Sequence, residues 1–493
     1  MQGLAADKTI AVIGAGTMGA GIAQVAAAFG HRVLLFDQAE GAAQKGIERT
    51  AKGLDKLIER GKLTSDDRDQ LIARIEAVAS LDALSSAALV IEAVVEDLAI
   101  KQALFKKLES QRSAQTIFAT NTSSISVTAI ASALDDPTRV VGMHFFNPAP
   151  IMKLVEVVSG LQTNNEVAQV VHATATQWGK QAVHTKSTPG FIVNRVARPF
   201  YAEALRAFEE GAANVPTIDA IMCESGGFRM GPFALMDLIG NDINFAVTES
   251  VCQAYFGDQR FTPSLFQQEM IQAGLLGCKT GEGFYHYGEG ADKPDVKSAQ
   301  EAPAPSQMSI DGRAFTQDDL ALMHGATTIN AGSATLTCTD GRMATQRAAD
   351  EQIDNLVLFD LALDYTNAGR IALAKADQTS DQAWQDAIGF WQQLGKQVSV
   401  IDDLPGMCVM RTVCMLANEG ADAVNQGVCD VQAVDVAMQA GVNYPQGPMV
   451  WADAIGLDLV VRVLQHLQAV YGEDRYRVSP LLQRRLAANR NLL

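Results

Sequence analysis

Residues 9 to 37 read as strand, glycine turn, helix and strand, a succession that restricts the fold more than any other stretch of the chain. TIAVIGAG is a continuous apolar run, the pattern of a strand buried on both faces. TMGAGIAQVAAAFG is a helix of small residues ending at Gly30, and HRVLLFD is a second strand. Between the first strand and the helix, Gly14-Ala15-Gly16-Thr17-Met18-Gly19 fits GxGxxG. Gly14 permits the tight turn, Gly16 lets backbone approach a pyrophosphate, and Gly19 lets helix and strand pack closely. Thr17 and Met18 open the helix, whose free N–H groups and positive dipole end suit phosphates. Asp37 closes the second strand, where it is placed to accept hydrogen bonds from ribose hydroxyls and to repel a 2′-phosphate. NAD is therefore the expected cofactor, rather than NADP.

Further strands follow at LVIEAVVE (89–96) and TIFATNTSS (116–124), with a helix between them and an amphipathic, Lys-rich helix over 42–62. Alternating strands and helices predict a Rossmann-type, doubly wound parallel sheet. After Pro189 the chain turns helical, with glycine stops at Gly211, Gly240 and Gly257. Residues 288–307 hold three prolines and almost no large apolar side chains, the composition of a solvated linker.

Beyond the linker the chain repeats itself. Gly179-Lys180-Gln181 returns as Gly395-Lys396-Gln397, Pro189-Gly190 as Pro405-Gly406, Glu203 as Glu419, Asp219 as Asp435, and Asp237 as Asp453. All share the offset 216, and from Gly179 to Asp242 the ungapped comparison matches 19 of 64 positions, too many for chance. The helical domain is thus present twice, a duplication rather than a solenoid. The expected division is an NAD-binding sheet domain at 1–187, a helical domain at 188–287, the linker at 288–307, a degenerate sheet segment at 308–400, and a second helical domain at 401–493. The fold class is α/β plus all-α.

A chain of 493 residues is too long for one core, and its 39 basic against 56 acidic residues, a net charge of -17, argue against a nucleic-acid partner. No run approaches the apolar length of a membrane span, and the N-terminus lacks the pattern of a secretory signal. Seven scattered cysteines without a CxxC pair or metal spacing fit reduced thiols, so the expected setting is cytoplasmic and metal-free.

The stretch GMHFFNPAPIMKLVEVV, 142–158, carries acid–base chemistry. His144 and Glu156 flank a turn built on Asn147, Pro148, Ala149 and Pro150. If the chain folds back there, the two side chains oppose each other on neighbouring strands. A neutral imidazole can take the proton of a secondary alcohol as its hydride leaves, and the carboxylate fixes the tautomer and stabilises the imidazolium. Asn121-Thr122-Ser123-Ser124 follows a strand end, where ligands bind in parallel sheets; it reads as a helix cap or as a substrate contact. His31 belongs to the turn before the second strand. His172, His184, His286, His324 and His466 show no partner and read as structural or exposed.

GAGTMG, IEAVVED, NTSSIS, HFFNPAPIMKLVEVV, TPGFIVNR and KTGEGFY occur in the order found in the L-3-hydroxyacyl-CoA dehydrogenase family, which residues 8–287 closely resemble. The long form, with linker and second copy, resembles bacterial 3-hydroxyadipyl-CoA dehydrogenases of phenylacetate catabolism and long 3-hydroxybutyryl-CoA dehydrogenases. The resemblance implies reversible oxidation of an acyl-CoA substrate, with His144 as base and Glu156 orienting it. It implies that Ser123 bonds the substrate's 3-oxygen and that Asn194 holds the reacting end of the acyl chain. Glu96, Lys101, Ser123, Asn147 and Lys279 match positions that contact the cofactor; Glu96 and Lys101 also read as a helix-start pair. Lys45, Lys52 and Lys56 follow Asp37; Lys52 and Lys56 share a helix face and would suit the phosphates of coenzyme A or form a solvated face. Arg198, one turn after Asn194, is a candidate for the far carboxylate of a dicarboxylic chain, or a partner in a salt bridge. A rival reading is a non-catalytic NAD-binding relative, which the Ser123, His144, Glu156 and Asn194 set opposes.

In the second copy the offset puts Asp360 at the place of His144, Ala372 at that of Glu156 and Met410 at that of Asn194, so it should not catalyse. Short members of the family dimerise through the helical domain. The second copy could stand in for that partner as an internal pseudo-dimer, leaving other surfaces for any further homo-oligomer.

Overall fold

The apolar runs of the N-terminal third become the strands of an eight-stranded sheet. The computed structural model describes every residue except 112, 114, 292–294, 311 and 324–326, and it comprises two units, Met1–Val193 with Gly427–Val442 and Asn194–Gln426 with Asn443–Leu493.

In the first unit the strands are β1 (Ile10–Ile13), β2 (Val33–Phe36), β3 (Ile75–Ala77), β4 (Leu89–Glu92), β5 (Ile117–Thr120), β6 (Val140–Phe145), β7 (Leu154–Ser159) and β8 (Gln181–Lys186). Their order is β3-β2-β1-β4-β5-β6-β7-β8. The pairs from β3 to β6 are parallel, β6 and β7 run antiparallel, and β8 is parallel to β7. The order reverses at β1, which has β2 on one side and β4 on the other, and ligands of such sheets bind at the strand ends there. The helix Thr17–Ala28 lies close to β1 because its residues are small. A Cβ on Gly19 would come within 1.7 Å of the Gly14 carbonyl oxygen, so only glycine fits. The late helix Val431–Val442 belongs to this unit and packs on β7 and β8, with Gly441 seated against Leu154 and Val193.

The second unit holds a seven-stranded sheet in the order β10-β9-β11-β12-β13-β14-β15, comprising β9 (Met308–Ile310), β10 (Arg313–Ala314), β11 (Thr328–Ala331), β12 (Ala334–Cys338), β13 (Leu356–Phe359), β14 (Arg370–Lys375) and β15 (Gln397–Val400). The offset of 216 carries the first residues of β6, β7 and β8 onto those of β13, β14 and β15, and the antiparallel-then-parallel pairing is the same. Repetition therefore extends well upstream of Gly179. The other end of the sheet departs from the parent pattern. There β9, β10, β11 and β12 pair antiparallel, with a two-residue turn from β11 to β12 that begins at Gly332, φ +57. A two-residue turn with glycine first joins antiparallel neighbours, where a parallel pair would need a crossover helix. The linker is not free along its length: the Lys297 N–H donates to Thr217 Oγ1, and the Ala299 N–H to the carbonyl of Val398 on β15.

The two helical copies meet inside this second unit. Helix Arg198–Glu209 of the first packs against helix Val409–Asn425 of the second. The Arg195 Nε lies 2.5 Å from Glu419, and the Arg411 Nε lies 2.6 Å from Glu203, all four side chains being buried. Arg195 and Arg411 are equivalent at the offset of 216, as are Glu203 and Glu419. Each copy's arginine is thus neutralised by the other copy's glutamate. Helix Val215–Glu224 packs on β14, just as its equivalent, Val431–Val442, packs on β7 in the first unit.

Asp360 follows β13 and is hydrogen-bonded through its N–H to the carbonyl of Ala372. Its buried carboxylate accepts the N–H groups of Cys408, Val409 and Met410, where the helix Val409–Asn425 begins. Burial pushes its pKa up to about 6 against the opposing pull of these N–H groups. The unfolded chain releases this proton near pH 4, whereas the fold retains it to about 6. The fold binds more protons in that window, so stability contributed below it is lost as pH rises through it. Asp360→Asn removes this dependence. Scanning calorimetry should show the wild type losing stability relative to Asp360→Asn, on the order of 3 kcal/mol in all, as pH rises from about 4 to about 7. A stability difference that stays flat across the range would contradict the assignment.

Candidate active site

The register of β6 on β7 pairs His144 with Glu156. His144 Nδ1 donates to Glu156 Oε2 over 2.7 Å. The second carboxylate oxygen, Oε1, accepts the N–H groups of Ile192 and Val193 at 2.9 and 3.0 Å, so Glu156 is pinned on both sides. Those N–H groups are available because the chain turns at Gly190, φ +75, and Phe191, φ +48, before the helix Val193–Val196. Both partners are buried, Glu156 completely and His144 to 5 % exposure. Phe146 and Phe191 lie against the imidazole, with ring centroids at 4.5 and 5.7 Å. With Nδ1 committed to the carboxylate, Nε2 keeps its lone pair and can act as a base.

The glycine turn faces a cavity of about 860 Å³ whose lining includes Gly14, Gly16, Asp37, Val94, Leu104 and Lys107. Gly14 takes φ +97, with the Ala93 carbonyl where a Cβ would stand. At Gly16 a Cβ would meet nothing within 4 Å, so a phosphate can approach the backbone there. Gly16 caps the helix without any side-chain hydrogen bond, leaving the N-terminal N–H groups of Thr17 and Met18 to a ligand. Asp37 Oδ2 accepts the N–H of Ala15 at 2.7 Å and Oδ1 that of Ala39 at 2.9 Å. It therefore also shapes the glycine turn, and its remaining lone pairs serve ribose hydroxyls. These residues fit a dinucleotide.

Ser123 is exposed, and its N–H donates to Glu96 Oε1. Glu96 also takes the hydroxyls of Thr122 and Ser124 and lies 3.2 Å from Lys101 Nζ. Burial disfavours its charge, but the Thr122 hydroxyl and the Lys101 ammonium outweigh that and hold its carboxyl below the usual range. Lys101 itself is buried against Glu92 at 2.6 Å. Glu96 and Lys101 thus hold the Ser123 loop in place; neither lines the glycine-loop cavity. Glu92 was not foreseen, although a carboxylate closing an otherwise apolar strand, LVIE, is a visible anomaly. Its Oε2 also accepts the Thr120 hydroxyl. Lys107 and the two phenylalanines beside His144 carried no separate signal.

Asn147 is exposed and precedes a cis bond to Pro148. Asn194 follows Val193 directly, half-buried, as the first residue of the second unit. In that unit Lys279 pairs with Asp242 at 2.6 Å. Lys52 and Lys56 are exposed on the helix Ala42–Glu59. One ring nitrogen in each of His31, His172 and His466 bonds a backbone carbonyl, which the sequence did not reveal; His324 lies outside the described residues.

Residues 9–188 match the 3-hydroxyacyl-CoA dehydrogenase NAD-binding domain, and residues 190–287 and 406–492 each match the C-terminal domain of that family. The chain belongs to the 3-hydroxyacyl-CoA dehydrogenase family. Residues 336–405 match the reduced Rossmann-fold domain of 3-hydroxybutyryl-CoA dehydrogenase, in keeping with the shortened second sheet. The chain is similar to the 3-hydroxyadipyl-CoA dehydrogenase of Escherichia coli, at 44 % identity over 97 % of both chains. It is also similar to a probable 3-hydroxybutyryl-CoA dehydrogenase of Deinococcus radiodurans, at 44 % identity over 56 % of this chain and 99 % of the relative. A crystal structure of 3-hydroxybutyryl-CoA dehydrogenase from Escherichia coli superimposes with a TM-score of 0.91 at 43 % identity, covering 98 % of both chains. This 3-hydroxyacyl-CoA dehydrogenase is an NAD-dependent oxidoreductase, and no described helix in it is long and apolar enough to cross a membrane.

His144→Gln is expected to lower turnover by roughly 10²- to 10⁴-fold while the affinity for NAD stays near normal. Steady-state kinetics together with NADH fluorescence titration checks both, and near-normal turnover would remove His144 from the mechanism.

Proposed function

We propose that this chain catalyses the reversible oxidation of 3-hydroxyadipyl-CoA to the 3-oxoacyl-CoA, within phenylacetate degradation in the cytoplasm. The observation that carries the substrate choice is the likeness to 3-hydroxyadipyl-CoA dehydrogenase over nearly the whole of both chains. NAD, when bound, takes up the hydride from C3 of the substrate. His144 Nε2 accepts the 3-hydroxyl proton as that hydride leaves, and the carboxylate 2.7 Å behind the imidazole stabilises the charge that develops on it. In this reading Ser123 donates to the substrate's 3-oxygen, Asn194 holds the reacting end of the acyl chain, and Asn147 and Lys279 contact the cofactor. The glycine turn and Asp37 hold the dinucleotide. A second reading, a short unsubstituted chain, has in its favour the solved structure named for 3-hydroxybutyryl-CoA.

Turnover should be measured with 3-hydroxyadipyl-CoA and 3-hydroxybutyryl-CoA. A higher kcat/KM for the dicarboxylic ester is expected, and the reverse order would favour the short-chain reading. No NADH oxidation with either 3-oxo ester would point to a non-catalytic relative.

Lys52 and Lys56 are proposed to meet the phosphates of coenzyme A, since both are exposed and share a face of the helix after Asp37. Reversing both to glutamate should raise KM for the CoA ester several-fold, more at low salt than at high salt. An unchanged KM would leave them a solvated face.

The second helical copy is proposed to stand in for a partner subunit. Its support is the reciprocal pairing of Arg195 with Glu419 and Arg411 with Glu203, the self-complementary pattern of a two-fold interface.

A further inference from the structure

Arg198 is 5 % exposed, yet among the described residues it has no carboxylate partner. One terminal nitrogen donates to Thr248 Oγ1 at 3.0 Å and to the Asn244 carbonyl at 3.4 Å, and the Nε has no partner. The guanidinium carbon lies 4.9 Å from the Tyr201 ring centroid. Burial drives its pKa down, with only tyrosines nearby to oppose that. A guanidinium does not shed its proton in a protein, so a positive charge is held out of water without an anion.

A cavity of about 510 Å³ within the second unit is lined by Arg198, Tyr201, Asn244, Thr248, Leu265 and Gln267, among others. The arginines 206 and 475 on its wall already face carboxylates, at Glu473 and Glu203 respectively. Glu209 and Glu269, also on the wall, are exposed. Arg198 is therefore the cation in the cavity that lacks a counter-charge.

The repeat supplies an independent comparison. At the offset of 216, Arg198, Asn244 and Thr248 become Cys414, Val460 and Leu464, all three fully buried. The copy that has lost His144, Glu156 and Asn194 has also replaced this polar cluster with a packed apolar one. The helical fold is thus complete without the arginine, which occurs where the catalytic residues occur. Asn194 and Arg198 do not share one continuous helix: Asn194 lies in the short helix Val193–Val196, and Arg198, four residues on, opens the next, Arg198–Glu209, after Ala197. The far carboxylate of a six-carbon dicarboxylic chain is only three carbon–carbon bonds from C3, so its partner must stand near the residue that holds the reacting end.

We propose that Arg198, held in place by Thr248, whose hydroxyl donates to the Asn244 carbonyl, binds the distal carboxylate of a dicarboxylic acyl-CoA and so selects that substrate over monocarboxylic chains of equal length. The assignment rests on the dicarboxylic reading above. A single guanidinium matches a singly charged carboxylate, with the planar fork taking both oxygens.

The test compares 3-hydroxyadipyl-CoA with 3-hydroxyhexanoyl-CoA, which differ only in carboxylate against methyl at the far end. The intact protein, Arg198→Met and the triple variant R198C/N244V/T248L are assayed on both. The triple variant installs the residues that pack at the equivalent positions of the second copy, and its melting temperature reports whether it folds. The expected result is a preference for the acid in the intact protein and a fall of at least about tenfold in the acid-to-methyl ratio of kcat/KM in both variants, mainly through KM. Thermal stability should hold, because an unpaired buried charge has been removed. If the intact protein prefers the acid and the variants keep that preference, Arg198 is not the carboxylate site, although the dicarboxylic reading survives. If the intact protein shows no preference, the reading fails and this assignment falls with it.

Discussion

The second unit depends on an exchange of buried charge. Arg195 and Arg411 are fully buried, and neither is neutralised by its own copy of the helical domain. A buried guanidinium whose carboxylate is removed costs several kcal/mol, so truncating either glutamate would strand the other copy's arginine. Glu419 also receives Arg260, which reaches Asp422 as well, and Glu203 receives the Tyr476 hydroxyl and approaches Arg475. The repeated glutamates are thus the centres of two charge clusters that set the position of helices Arg198–Glu209 and Val409–Asn425.

In the first unit Glu156 has a comparable part. One oxygen orients the imidazole and the other holds the chain at Ile192 and Val193, immediately before Asn194. The second copy shows how far these tasks can be separated. There Asp360 stands at the position of the histidine and takes the N–H groups of Cys408 and Val409, the equivalents of Ile192 and Val193. The turn before them survives, with φ +71 at Gly406 and +53 at Met407. The requirement for an anion at the helix start has been retained, while the base has been lost.

Much of this was legible in the sequence, because it rests on local rules. Buried parallel strands show as apolar runs, the glycine fingerprint fixes a turn, and a symmetric turn between His144 and Glu156 fixes a register. What was not legible depends on partners distant in sequence. Glu203 and Glu419 could be matched as repeats, but nothing local shows that each serves the other copy's arginine. Nor does anything local show that Lys101 is held by Glu92, which closes a separate strand. The antiparallel end of the second sheet was missed for the opposite reason, since the single glycine at 332 is a weak signal beside short strands.

The exchanged pairs also bear on how the protein behaves at low abundance. Two separate subunits joined by such contacts come apart as they become scarce, because their association is bimolecular. Here both partners of Arg195–Glu419 and of Arg411–Glu203 lie on one polypeptide, so their encounter is unimolecular and its equilibrium does not change on dilution. The helical scaffold around Arg198 should therefore remain assembled in a single isolated molecule.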